Sequence, residues 1–405
     1  MNVQGITGIL VLLGVAYLLS NNRKEIKIRT VLWGLGLQFS LALMILKIPF
    51  VKSQFSILDR IFRKVISFSE TGSNFLFESF IPDVGYHVAM MNFAFRALPV
   101  IIFFSSLIAM SYHFGIVQTI IKFISKIMRS TMRTSGPETL SISANIFVGQ
   151  TEAPIIVRPF IKDMSNSELM AIMTGGFATT AGSVLALYVL WLEKIPGIAG
   201  HMLAASIMSA PAALAIAKII YPETEKSRPK KIKIHNRRET QNAMDALGKG
   251  ATDGLKLAAN VAAMLIAFVS IISMINYFLD FIFSVSLQQA MGVIFQPLSW
   301  TMGIPWDEAK IVGSLMGEKI VLTELVAYSN LSDLVNNNLI SNRSAVIASY
   351  ALCGFANFGS IGIQLGGIGG MAPNRRKDLS KIAMKAMIGG AIASWLTATV
   401  AGLLI

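Results

Sequence analysis

The run Gly149-Gln150-Thr151-Glu152-Ala153-Pro154 sets an amide, a hydroxyl and a carboxylate side by side between long apolar stretches. Gln150 offers two donors and an acceptor, Thr151 a hydroxyl, and Glu152 two acceptor oxygens when ionised. Such a set suits a neutral ligand rich in hydrogen-bonding groups. A carboxylate at bilayer depth costs about 2.5–3.5 kcal/mol on insertion scales, so a chain keeps one mostly where it holds a substrate, an ion or a proton. Pro154 withholds an N–H that a helix needs, and Gly149 reaches dihedrals closed to other residues, so the helix is expected to break here.

A second carboxylate, Glu324, follows 172 residues later, and GFAT at Gly176–Thr179 is echoed 178 residues on by GFAN at Gly354–Asn357. Glu324, Asn357 and Ser360 form a second polar group, and a carboxylate that accepts from two adjacent hydroxyls grips a sugar diol well. No basic residue is expected at the hairpin tips or broken-helix motifs, so an anionic ligand would lack its partner there. For a cation, Asn145, Val148, Thr179 and Thr180 supply the carbonyl and hydroxyl oxygens that a hard ion prefers. For Thr179 and Thr180 taken alone, hydroxyls bonding back to their own helix are the weightier explanation.

The elements that must carry these residues are membrane helices. Of 405 residues, 54% are hydrophobic and 14% charged, against about 45–50% and 25% in soluble domains. Segments 3–20, 31–50, 91–112, 167–192, 197–220, 258–284, 342–370 and 382–405 are each long enough to cross a bilayer. Segments 138–163 and 307–331 are apolar but interrupted, as in re-entrant hairpins. Segments 52–68 and 114–133 mix charge and apolar residues at helical spacing and are expected along the interface. The fold class expected is all-α and polytopic.

The net charge of +13 is spread over alternate loops. Loops 21–30, 113–137, 221–250 and 373–385 hold 21 of the 35 lysines and arginines. If both hairpins enter and leave on one side, all four loops share a face, which the positive-inside rule makes cytoplasmic, with both termini outside. The first hairpin then enters from the cytoplasm and the second from outside, so the two halves form an inverted repeat of the kind found in secondary transporters. The first apolar run lacks a preceding cationic stretch and reads as a retained span.

Nucleic-acid binding would need a basic domain, and none is visible. The single Cys353 excludes an intrachain disulfide and is expected to act as a small packing residue. His87, His113, His201 and His235 are scattered, without the pairing of a metallo-enzyme, so no catalytic residue is expected.

GQTEAPIIVRPF at Gly149–Phe160, GEKIVLTELVAY at Gly317–Tyr328 and CGFANFGSIGI at Cys353–Ile363 resemble the signatures of the concentrative nucleoside transporter family. The similarity covers most of the chain and is closest from about residue 90 onward. It implies a bacterial inner-membrane homotrimer with eight spans and two hairpins per subunit, whose transport domain moves elevator-fashion against a scaffold. It implies symport of nucleosides such as uridine and adenosine with sodium, or in some branches protons, and no cofactor. Residue by residue, it implies that Gln150, Thr151, Glu152 and Val184 contact the base and that Glu324, Asn357, Ser360 and Phe355 contact the ribose. Sodium would fall on Asn145, Val148, Thr179 and Thr180.

By the same resemblance, residues 1–112 and 258–306 form scaffold, 113–220 and 307–405 the two transport repeats, and 221–257 a basic linker with an interfacial helix. Many members read NEFVAY where this chain has Thr323-Glu324-Leu325-Val326-Ala327-Tyr328. Proton-coupled members often read GQSE, so GQTEAP with Thr179 and Thr180 points to sodium. Proton coupling, or a different neutral solute such as a free nucleobase, is the alternative. Gly149 leaves room beside Gln150, which favours acceptance of purines and pyrimidines alike.

Overall fold

Serine and acidic or amide side chains three residues apart start several helices. Ser135 with Glu138, Ser165 with Glu168 and Ser286 with Gln289 form capping boxes that satisfy the free N–H groups of a first turn. A computed structural model of the chain describes residues 3–77, 93–225 and 240–405, and within them it is built of helices without strands. His87, His235 and the cations from Lys226 to Arg238 lie outside the described residues, as do the first two positions of the 91–112 segment.

The chain opens with α1 Val3–Leu18, α2 Ile28–Lys47, α3 Pro49–Phe77, the short α4 Phe93–Arg96, α5 Leu98–His113 and α6 Ile116–Met132. α7 Gly136–Ala144 then climbs to an irregular tip at residues 145–152. The chain returns through a 3₁₀ turn at Ala153–Val157 and α8 Arg158–Ile161. Next, α9 Asn166–Ala178 and α10 Gly182–Trp191 form one broken helix, followed by the unbroken α11 Ile198–Ile220.

After α12 Ala243–Phe283 and α13 Leu287–Thr301 the plan recurs. α14 Trp306–Val321 and α15 Glu324–Asn336 meet at a two-residue tip, α16 Asn342–Leu352 and α17 Phe358–Met371 form a second broken helix, and α18 Arg376–Leu404 is unbroken. The expected linker boundary at 257/258 falls inside α12, where no breaker interrupts a helix of 41 residues.

Five helical segments, 28–47, 166–191, 198–220, 243–283 and 373–404, are long and apolar enough to cross a membrane. A sixth is added if α5 and α6, bent by 74° at Phe114–Gly115, count as one. α1 is apolar but has 16 residues.

Burial differs sharply among them. The apolar windows of 166–191, 198–220 and 373–404 are 94%, 89% and 83% buried within the chain, against 17% for α12 and 28% for α2. The first broken helix and α16 thus sit in a core formed with α11 and α18, while α17 buries only one face and α12 lies outside, packed along α5. Lys218 on α11 pairs with Glu138 at the base of the first hairpin at 2.7 Å, a buried ion pair that fixes α7 to the core.

Candidate functional site

The two breaks touch. Gly354 adopts φ +93°, a region that favours glycine, and a Cβ there would come within 2.6 Å of the Ala178 carbonyl carbon. Its N–H donates to Thr180 Oγ1 at 2.9 Å, and Cys353 Sγ lies 3.5 Å from the same hydroxyl. Gly182 N donates to Phe147 O at 3.1 Å, which docks the first hairpin tip on the start of α10. These contacts bring both tips and both breaks to one cavity of about 1980 Å³.

The cavity lining includes Val148, Gln150, Thr151, Glu152, Val184, Glu324, Phe355, Asn357 and Ser360, so every residue expected to touch a nucleoside is brought together. Asn145, Thr179 and Thr180 are buried behind it. The volume exceeds the roughly 300–1,000 Å³ of an ordinary ligand pocket because the space continues as a vestibule past Arg158, His113, Lys249 and Lys256.

In the first polar group, Gln150 Oε1 accepts from Gln364 Nε2 at 3.0 Å, and Gln364 also donates to Met173 O at 3.1 Å. With its oxygen held, Gln150 keeps its amino group as the donor available to a ligand. Glu152 is open to the cavity. Gly149 does not take a left-handed backbone, contrary to one reason expected for it; the Glu152 carboxylate occupies the place a Cβ would fill.

The second group is a connected network. Glu324, 2% exposed, accepts from Asn357 Nδ2 at 2.8 Å, Tyr188 OH at 3.1 Å and Thr323 Oγ1 at 3.2 Å. Glu324 opens α15, and Asn357 Oδ1 accepts from Ser360 N at 2.8 Å to cap α17. The positive ends of two helix dipoles therefore favour a carboxylate at this point. The Tyr188 ring stacks on Tyr328 with centroids 4.0 Å apart, and Tyr328 is anchored to Ser349 O at 2.7 Å.

The cation residues divide. The Thr179 hydroxyl bonds back to Gly175 O at 2.9 Å, and the Thr180 hydroxyl accepts from Gly354, so both already have partners. Among the described residues, the carbonyls of Asn145, Val148, Thr179 and Thr180 accept no hydrogen bond. Asn145, 1% exposed, has neither amide atom partnered. Orphaned buried polar atoms are rare, and oxygens of this kind fit a hard cation.

Three residues of the site escaped the sequence reading: Tyr188, Gln364 and Lys319. The hairpin tips and broken-helix motifs carry no basic residue of their own, but the Lys319 Nζ donates to Ala351 O at 2.9 Å, Cys353 O at 2.8 Å and Ser394 Oγ at 2.8 Å. It sits on α14 and reaches the break across the fold. His113 and His201 bond to Thr240 and Tyr350, and among the described residues no three His, Cys, Asp or Glu side chains cluster to hold a metal.

Apolar helices around a mostly apolar cavity, into which these few polar side chains converge, suit a membrane protein that binds a polar solute. Family profiles sharpen the class. Residues 7–80 match the N-terminal part and 201–402 the C-terminal part of the Na+ dependent nucleoside transporters, and 94–195 match a nucleoside recognition gate. An uncharacterized transporter of Bacillus subtilis, YutK, is 41% identical over 100% of both chains. Mouse sodium/nucleoside cotransporter 1 is 40% identical over 98% of this chain, which spans 63% of that longer protein. The solved structure of CNTnw in an inward-facing substrate-bound state superposes with a TM-score of 0.92 at 40% identity, covering 99% of this chain and 98% of that one. The chain belongs to the concentrative nucleoside transporter family and is a transporter, not an enzyme.

Proposed function

We propose that this protein is a secondary symporter that imports nucleosides across a bacterial cytoplasmic membrane together with sodium. The observation that carries the reading is the single cavity in which Gln150, Thr151 and Glu152 stand opposite the Glu324–Asn357–Ser360 network, beside an unpartnered Asn145. The first group grips the base, with Val184 lining its pocket; the second takes the ribose hydroxyls, with Phe355 against the sugar. Thr323 orients Glu324, and Gln364 orients Gln150.

Sodium is cargo that binds to the carbonyls of Val148, Thr179 and Thr180 and to Asn145, where it draws the first tip onto the break and so sets Gln150 and Glu152 for the base. Reciprocity then requires the nucleoside to raise sodium affinity by the same factor. The membrane potential adds about 2.3 kcal/mol per charge per 100 mV. The two hairpin-and-broken-helix units, related as an inverted repeat, move as one body past a scaffold that includes α12. The outward faces of α2 and α12 are available to lipid and to the other subunits of a trimer. The vestibule is lined by Lys249 and Lys256, and in this reading that end faces the cytoplasm.

Uptake of labelled uridine into proteoliposomes, with sodium and pH gradients imposed separately, tests the reading. Accumulation driven by sodium at constant pH is expected. Accumulation driven equally well by a pH step without sodium would replace it with proton coupling, and uptake of labelled uracil without uptake of labelled uridine would replace nucleosides with nucleobases.

A further inference from the structure

Lys319 lies near the end of α14 with its side chain 0% exposed. An ammonium has three N–H donors, and the three acceptors at Ala351 O, Cys353 O and Ser394 Oγ use them all. The other well-buried lysine, Lys218, has the carboxylate of Glu138 at 2.7 Å; among the described residues no carboxylate comes within 4.0 Å of the Lys319 ammonium. Removing a charge from water is strongly unfavourable even with the Glu324 carboxylate acting on it from beyond 4.0 Å, and a neutral side chain of similar shape would avoid the cost. The charge therefore answers something fixed in the fold. Two of its three partners are backbone carbonyls at the end of α16, where the helix breaks and its dipole leaves negative charge.

The first half repeats the relation without the lysine. Thirty-four residues separate Asn145 from Thr179, and the same 34 separate Lys319 from Cys353. In each pair a hairpin residue stands 34 positions before the residue that ends the first part of the broken helix, Thr179 after α9 and Cys353 after α16. At the first break the carbonyls of Thr179 and Thr180 accept no hydrogen bond among the described residues, and Asn145 has no partner. At the second, the carbonyl of Cys353, which like Thr179 follows the last residue of its half-helix, is occupied by a covalently attached cation.

We propose that the Lys319 ammonium is a resident cation, the tethered counterpart of the exchangeable sodium at the first break, and that it restricts the carrier to one mobile cation per cycle. This rests on the cation reading of the first break. Removing the ammonium leaves three inward-directed oxygens around a space of ammonium size, a site that sodium or a small alkylammonium ion can enter.

The test uses full-length protein in proteoliposomes, wild type and Lys319→Ala, with initial uridine uptake followed through a sodium titration and thermal unfolding measured in sodium and in choline. Wild type is expected to show a Hill coefficient for sodium of about one. The variant is expected to lose uptake and thermal stability at low sodium, to recover both at high sodium with a coefficient rising toward about two, and to regain the one-site curve with ethylammonium. A wild-type coefficient of two overturns the proposal. So does a folded variant whose sodium curve and stability match wild type, or one that neither sodium nor ethylammonium restores. Should the alanine variant fail to accumulate, Lys319→Met, which keeps the stem without the charge, decides: behaviour identical to wild type refutes the tethered cation. Wild-type uptake indifferent to sodium, with ethylammonium still restoring the stability of Lys319→Ala, would overturn the first-break reading alone.

Discussion

Among the described residues, the carbonyls of Thr179 and Thr180 at the end of α9 accept no hydrogen bond and the hairpin beside them carries an unpartnered Asn145; at the end of α16, those of Ala351 and Cys353 hold an ammonium at 2.8–2.9 Å. Both breaks present the same difficulty, buried oxygen atoms at the negative end of a helix. The second is satisfied permanently from within the chain. The first is left open by the chain, and in the proposed reading a bound ion fills it. The two are joined by the bond from Gly354 N to the Thr180 hydroxyl.

The contrast can be attacked from either side. The largest effect is expected from Glu324→Gln, on the satisfied half. Its carboxylate accepts from three donors, and a glutamine amino group would face one of them with a donor of its own. Hydrogen bonds to charged groups are worth about 1.5–3 kcal/mol each, so uridine uptake should fall about 100-fold while the protein still folds. Normal transport of ribosides by this variant would remove Glu324 from the ribose site.

Asn145→Ala probes the open half. It removes one oxygen from the cation set, and the sodium concentration for half-maximal uptake should rise about tenfold, equivalent to about 1.4 kcal/mol. Uridine affinity at saturating sodium should be preserved. An unchanged sodium curve would mean that the amide is orphaned for some other reason.

Gln364→Leu should have the smallest effect. It frees the Gln150 oxygen, and loss of a neutral hydrogen bond worth about 0.5–1.5 kcal/mol should weaken uridine binding about two- to tenfold without shifting the sodium curve. A shift in the sodium curve instead would tie Gln364 to the cation half.

Much of this site was legible in the sequence because its residues lie in compact runs. GQTEAP announces itself by placing polar groups and a proline within an apolar chain, and Glu324 with CGFANFGS repeats the pattern. Tyr188, Gln364 and Lys319 were not legible, for one shared reason. Their partners are far away in sequence or are backbone atoms: Tyr188 meets Glu324 136 residues on, Gln364 meets Gln150 214 residues back, and Lys319 meets carbonyls that carry no residue signature. Lys319 stood in plain view within GEKIVLTELVAY, yet nothing near it in sequence indicated that its charge would reach the second break. The roles of Thr179 and Thr180 were half visible. A hydroxyl in a helix turn bonds back as expected for Thr179, while the cross-break bond of Thr180 exists only once two distant helices meet. The continuity of α12 across 257/258 was not legible because its polar first turns resemble a surface helix.

The central claim, one exchangeable cation at the first break and a fixed one at the second, is tested most directly by the limit of accumulation. In proteoliposomes at zero membrane potential, with sodium tenfold higher outside, uridine should accumulate to about ten times its external concentration and no further, since one sodium ion carries about 1.4 kcal/mol across a tenfold gradient. Accumulation approaching about a hundredfold would require two mobile cations, and no accumulation would require none. Either result would contradict the account.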